Sequence, residues 1–352
     1  MTIVFAILLF SFLIFIHELG HFVAAKLCGV QVNEFSLFMG PAIWKKQIGK
    51  TLYTIRTIPI GGYCAMEGEE EETDNPAAFT KAAWWKRLII LVAGASMNFL
   101  AGVLLFTIVF MPAQQIVVPA INTITDCSLL DEIGLQQGDL FLEIDGEPVY
   151  VHTDVDVLLT ISTKDIHDVV VLRNGEKISL PGSLEPHTCL DDKGQEYVHY
   201  GFSYGKIQPL DFAGRLDYIW KNVINSVRNV RLSMQMIVSG QAGLKDVSGP
   251  VGIVSKMNDM AEQSQDSFSA MMNMLYFGGF IAINLAVMNL LPIPALDGGR
   301  MVGVVISAAY ESITKKRLDP KFEGIVHAVG MVLLLVLMAI IMFKDVFTIF
   351  MG

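Results

Sequence analysis

Two histidines four residues apart with a carboxylate beside the first, His17-Glu18-Leu19-Gly20-His21, are the residues best placed to do chemistry. On an α-helix, positions i and i+4 share a face about 6 Å apart along the axis, so both imidazoles can reach one metal ion. Two neutral nitrogen ligands leave zinc a strong Lewis acid, while an adjacent carboxylate can take a proton from the attacking water. The spacing points to metal-assisted hydrolysis, with His17 and His21 as metal ligands and Glu18 as the base. Such a site needs a third protein ligand and an open position. The segment 284–299 offers Asp297, followed by Gly298-Gly299 and preceded by Asn284, Asn289, Pro292 and Pro294. Both prolines remove backbone donors and break a helix, which at membrane depth is tolerable only where the backbone is covered by protein or lines a wet cavity. Hydrolysis within a membrane requires such a cavity.

These residues lie in or beside long apolar runs. The chain of 352 residues is 53% hydrophobic and 17% charged, against about 45–50% and about 25% in a soluble domain. Its net charge of −10 leaves no basic surplus to hold a phosphate backbone, so nucleic acid is excluded as the expected partner. The expected solvent is a lipid bilayer, whose core of about 30 Å needs roughly 20 apolar residues per helix. Four stretches qualify, at about 2–27, 88–111, 271–296 and 325–343. Three ionisable residues within five positions of the first run are costly there unless paired or ligated, which marks a functional site.

Charge sets the expected orientation. Lys26 is the first basic residue and follows the first apolar run, as expected of an uncleaved helix with its N-terminus outside. The loop between the first two runs and the loop between the last two are rich in Lys and Arg, including Lys45, Lys46, Lys315 and Lys316, and are expected to be cytoplasmic. Helices one and three then run in the same direction, with Glu18 and Asp297 at similar depth. The segment 112–270 is left outside, and it holds 22 of the 35 acidic residues, as a water-facing domain would. It reads as short alternating strands, with a hairpin turn at Asn174-Gly175. The acidic run Glu69–Glu72 is read as a solvated loop.

The His-Glu-Leu-Gly-His helix, together with the Asn-x-x-Pro-x-Pro-x-Leu-Asp-Gly pattern from Asn289 to Gly298, resembles the site-2 protease family of intramembrane zinc metalloproteases. The likeness covers nearly the whole chain and is strongest to the bacterial regulator-of-sigma-E protease branch. It implies a polytopic α-helical membrane protein of the bacterial cell membrane, with four transmembrane helices, a re-entrant β-hairpin and an inserted extracytoplasmic PDZ domain (α+β). The implied zinc ligands are His17, His21 and Asp297, the implied catalytic base is Glu18, and Asn284, Asn289, Pro292 and Pro294 are implied to help hold substrate. The stretch 51–66, with Gly61 and Gly62, reads as a short hairpin similar to the family's re-entrant β-loop, whose edge can accept an unwound substrate as an added strand. Gly94 to Phe99 resembles a family segment with Ala95 where proline is usual, and Asn98 is expected to hydrogen-bond to a neighbouring helix or loop.

Outside the membrane, the glycine-framed strand Leu140–Ile144 and a helix at 155–161 are similar to a PDZ domain spanning 115–205. Such a domain could receive substrate directly or exclude bulky outer domains. The connector 206–270 carries Phe212, Leu216, Ile219, Val223, Val230, Met234 and Ile237 at helical spacing. It is expected to lie on the outer membrane surface or to pack on the PDZ domain. Ser248 to Gly252 also resembles the family, with no chemistry legible in it. Cys127 and Cys189 both fall outside and could pair, whereas Cys28 and Cys64 are expected to stay reduced. The expected activity is cleavage of a single-span membrane protein, and the family resemblance implies a substrate already shortened on its outer side, such as an anti-sigma factor or a leftover signal peptide. A membrane metal transporter and a non-catalytic PDZ scaffold are the rival readings.

Overall fold

A computed structural model of the chain describes residues 2–69, 73–124, 134–190, 196–243, 245–315 and 320–351. The chain forms two compact units, Met1–Phe106 with Asn229–Gly352, and Thr107–Arg228. The first opens with α1 (Thr2–Cys28), a hairpin of β1 (Val32–Ile48) and β2 (Thr51–Met66), and α2 (Trp84–Phe110). Apolar side chains without polar partners favour the one conformation that satisfies every backbone group internally, so the 27 residues of α1 stay helical, about 40 Å in length. At its end, Lys86 Nζ donates to the Cys28 carbonyl at 3.0 Å.

The hairpin is larger than the sequence suggests. Residues 51–66 are not a hairpin in themselves but its second strand, because the turn falls at Gly49, whose φ is 60°. Both strands bend, so that Glu34 faces both Leu52 and Ala65, and Leu37 faces both Ile55 and Gly62. Arg56 fastens the bend by donating to Glu34, Ser36, Tyr63 and the Gly40 carbonyl. Val32, Phe35, Cys64 and Met66 pack with Ala24 and Ala25 of α1 and Ile90 and Leu91 of α2. Ser11, well inside α1, donates to the Pro59 carbonyl at 3.0 Å.

The second unit contains β3 (Gln115–Ile124), β4 (Leu140–Ile144), β5 (Glu147–Pro148), α3 (Asp154–Ile161), β6 (His167–Arg173), β7 (Glu176–Leu184), β8 (His187–Leu190), β9 (Glu196–His199) and β10 (Phe202–Pro209). Its main sheet runs β10-β3-β4-β6-β7, with β5 on β4. Asn174 and Gly175 both take positive φ, 51° and 87°, and close the β6–β7 hairpin as expected. Phe141, Ile144, Val155, Val169 and Val171 fill its core. Asp154 pairs with Arg228 at 2.9 Å and also accepts the Tyr150 and Val151 amides. Cys127 and the side chain of Cys189 lie outside the described residues, while Cys28 and Cys64 are free.

The remainder comprises α4 (Phe212–Ser239), α5 (Pro250–Glu262), α6 (Ser267–Leu290), α7 (Asp297–Thr314) and α8 (Pro320–Met351). Of the apolar stripe read in the connector, Ile219, Val223 and Val230 are buried, whereas Phe212, Leu216 and Ile237 are exposed. Four helices, α1, α2, α6 and Gly324–Thr348 of α8, are long and apolar enough to cross a membrane. The third stops at Leu290 rather than at 296, since neither Pro292 nor Pro294 can donate to the preceding turn. The stretch read as a loop between the third and fourth spans holds the 18-residue helix α7. Ser248 to Gly252 gains a physical account here. Asp345 of α8 accepts the Gly249 and Gly252 amides, each at 2.9 Å, and so satisfies donors at the start of α5. Met257 of α5 is thereby buried among Ala6, Leu9 and Leu13 of α1 and Ile281 and Ala282 of α6.

Candidate metal centre

His17 and His21 project from one face of α1 with ring planes at 86° and Nε2 atoms 3.2 Å apart. The second nitrogen of His21 settles its tautomer. Nδ1–H donates to the Ile90 carbonyl of α2 at 2.8 Å, leaving the Nε2 lone pair to face inward. On α2, Gly94 admits both rings: a β-carbon there would overlap His21 and stand 2.8 Å from His17 Cε1.

The third candidate ligand comes from the break between α6 and α7. Past Leu290 the chain turns with Leu291 N–H donating to Met288 and Ile293 N–H to Leu291, and α7 then begins at Asp297. Gly298 lies so near the Leu290 and Leu291 carbonyls that any side chain there would collide with them. Asp297 Oδ2 thereby reaches 3.2 Å from both Nε2 atoms. This oxygen is buried, and no aligned N–H or O–H of the described residues donates to it. Three atoms spaced 3.2 Å apart form one face of a tetrahedron whose centre lies about 2.0 Å from each, the usual zinc–nitrogen and zinc–oxygen distance. Two lone-pair nitrogens and a carboxylate oxygen repel one another unless a cation lies among them. The donor set therefore fits zinc.

The other residues singled out by sequence separate into those near this centre and those away from it. Glu18 lies beside the hairpin, where a β-carbon on Gly62 would come 3.8 Å from its Cγ. Asn289 Nδ2 stands 3.5 Å from His17 Nδ1, as does Asn98 Nδ2 of α2. Asn98 is buried, with its Oδ1 unpartnered among the described residues. Asn284 instead donates to Phe280 within its own helix at 2.8 Å. Gly61 has φ 84° and faces Met39, and Pro294 faces α8. The acidic run is not wholly solvated. Glu69 pairs with Arg300 in the first turn of α7 and accepts the Met66 amide at 3.2 Å, while Glu70 to Glu72 lie outside the described residues. Sequence reading passed over Gly94 as an element of the centre, because a glycine in an apolar helix reveals nothing of what packs on it.

Comparison with known proteins agrees with this geometry. Residues 5–337 match the sequence model of Peptidase family M50. A protein of Clostridium acetobutylicum that bears the name zinc metalloprotease is 35% identical over 347 residues, covering 98% of this chain and 97% of that one. A Fusobacterium nucleatum protein of the same description is 34% identical over 357 residues, covering 99% of this chain and all of the relative. The regulator of sigma-W protease RasP of Bacillus subtilis is 25% identical over 430 residues, with 98% of each chain covered. A largely enclosed His-His-Asp cluster, four apolar helices and a family match along nearly the full length lead to one conclusion: the chain is a multi-pass membrane protein and belongs to peptidase family M50, the site-2 protease family of zinc metalloproteases.

Proposed function

We propose that this protein cuts single-span membrane proteins within or near the bilayer, with His17, His21 and Asp297 holding the zinc and Glu18 acting as general base. The observation that carries this reading is the 3.2 Å triangle of donor atoms next to Glu18, with a strand edge alongside. Zinc, when bound, polarises the scissile carbonyl and lowers the pKa of its water towards about 7. Glu18 takes the proton of the attacking water and returns it to the leaving amine. His21 is kept in its ligating tautomer by Ile90, and Asp297 brings the negative charge that a divalent ion needs.

Substrate would bind as an added strand. Residues 62–66 pair with 32–37 on one side, and among the described residues no strand pairs with the other. That free edge passes Glu18 at Gly62, so an unwound segment hydrogen-bonded to it would present its peptide bonds to the metal. The bond from Ser11 to Pro59 supports a re-entrant hairpin, because Ser11 lies deep in an apolar helix. Asn289 and Pro292 would line the opposite wall, Pro294 would brace it from behind against α8, and Asn284 would act from farther along α6. The basic loops support a cytoplasmic site, with the N-terminus and Thr107–Arg228 outside. The glycine-framed strand Leu140–Ile144 and the helix that follows support reading the latter unit as a PDZ domain, which would filter substrates by size or receive them. The name of the Bacillus subtilis relative favours a membrane-bound anti-sigma factor as the substrate class; a leftover signal peptide has the same single-span form.

Co-expression with a tagged single-span substrate lacking a large outer domain tests this. The wild type is expected to release a fragment and Glu18→Ala to release none while retaining its metal. Equal cleavage by both would refute the role of Glu18.

A further inference from the structure

The membrane-spanning part of α8 carries a single ionisable residue between 325 and 343, His327. An ionisable side chain in such a run is costly and calls for a partner. One partner of His327 is main chain: Ala295 N–H donates to its Nδ1 at 3.2 Å. One turn further along the same face, Gly330 lies against the preceding residue. A β-carbon on Gly330 would stand 2.8 Å from the Pro294 carbonyl carbon and 3.0 Å from its oxygen. Two positions of α8 thus grip two consecutive residues of the turn that leads into α7.

That turn is strained where it is gripped. Ala295 has φ 84°, in the left-handed region that a residue with a β-carbon keeps only when its surroundings hold it there. Two residues on, Asp297 must place one oxygen at 3.2 Å from each of two imidazoles. Relaxation of Ala295 to negative φ would swing its amide away from α8 and redirect the chain that delivers the carboxylate. We propose that His327 is a positioning residue for Asp297: by accepting the Ala295 amide it holds the turn in the conformation that aims the carboxylate at His17 and His21. The role needs an acceptor at the Nδ1 position, with the ring proton on Nε2. This inference rests on Asp297 serving as a zinc ligand.

The test uses the full-length protein in detergent, reading zinc release to a chelator and cleavage of a single-span substrate for the wild type, His327→Ala, His327→Asn, His327→Gln and Asp297→Asn. His327→Ala and His327→Gln are expected to lose zinc faster and cleave more slowly by on the order of 10–100-fold, the usual effect of removing a group that orients a metal ligand. His327→Asn, whose Oδ1 falls near the place of Nδ1, is expected to stay close to the wild type in both. A purely space-filling role predicts that Asn and Gln behave alike, and that result would overturn the proposal even if the alanine variant does not fold. Wild-type zinc release from His327→Ala, with Asp297→Asn releasing rapidly, would overturn it as well. Should Asp297→Asn hold zinc like the wild type, the assignment of the metal centre fails instead, and the positioning role with it.

Discussion

Gly94 of α2 stands so close to the ring of His21 that a β-carbon at this position would come 2.3 Å from its Nε2, well inside contact distance. The two helices can approach to that distance only with a hydrogen in place of a side chain. Gly94→Ala is therefore expected to displace His21 from Asp297 and abolish stoichiometric zinc in purified protein, measured by metal analysis. Zinc content equal to the wild type would show that α2 can retreat without disturbing the centre.

Asn98 and Asn289 approach the same atom, His17 Nδ1, from different helices, each at 3.5 Å. With the amide turned over, either side chain can accept the Nδ1 proton and fix the ring. Asn98→Ala and Asn289→Ala are each expected to weaken zinc binding by about 10-fold, at the low end for groups that orient a ligand. Because they share one partner, the double variant is expected to fall short of the product of the two effects. Competition with a metal indicator measures all three; full additivity would mean that the asparagines act independently of His17.

Asp345 holds the start of α5 through the Gly249 and Gly252 amides. Removing a charged acceptor that two buried donors share exposes both to a desolvation cost. Asp345→Ala is expected to speed amide exchange at 249–254 by at least about 10-fold, the effect of one lost charge-assisted hydrogen bond. Zinc content should be unchanged. Unaltered exchange there would mean that α5 is fixed by Met257 and its apolar neighbours alone.

Acid should loosen Thr107–Arg228 through Asp145. Burial works against the Asp145 charge, but hydrogen bonds from His167, Ser162, the Asp168 amide and Lys164 outweigh it and hold the carboxyl below the usual carboxylate range. A pKa depressed on folding contributes stability that is present above the unfolded value, about 3.9, and is lost as pH falls below it. This unit is expected to resist an acid-active protease at pH 5 and to be cut increasingly below about pH 4. Asp145→Asn should be more susceptible at pH 5 and show a smaller acid step. An acid step of wild-type size in that variant would assign the effect to other carboxylates.

Much of the chemistry was legible because it is local. The i, i+4 pairing of His17 and His21 needs only a helix, and the apolar runs that become α1, α2, α6 and α8 announce themselves by composition. The Asn174-Gly175 turn was readable for the same reason, since its positive φ values belong to those two residue types. Asp297 could be nominated from the prolines and glycines around it. Its place 3.2 Å from both imidazoles could not, because that depends on how α6 ends and how Gly298 packs under the break.

Where reading failed, the deciding contacts join distant residues. The extent of the hairpin rests on pairings such as Glu34 with Ala65, and alternation within 51–66 says nothing of a partner strand at 32–48. Helix α7 was legible in principle, since Val302, Val305, Ile306, Tyr310 and Ile313 recur at helical spacing, but the basic residues that follow it gave the stretch the look of a loop, and those side chains are exposed rather than packed in a core. Gly94, His327 and Asp345 acquire meaning only from what lies against them: an imidazole, an amide in a strained turn and the first amides of a helix. Sequence by itself determined which atoms could bind a metal and that they lie in a membrane, because ligand type, helical spacing and hydropathy belong to individual residues and short segments. Only the tertiary structure decided that three of those atoms meet beside Glu18 and the strand that carries Gly62, because such convergence depends on packing between helices far apart in the chain.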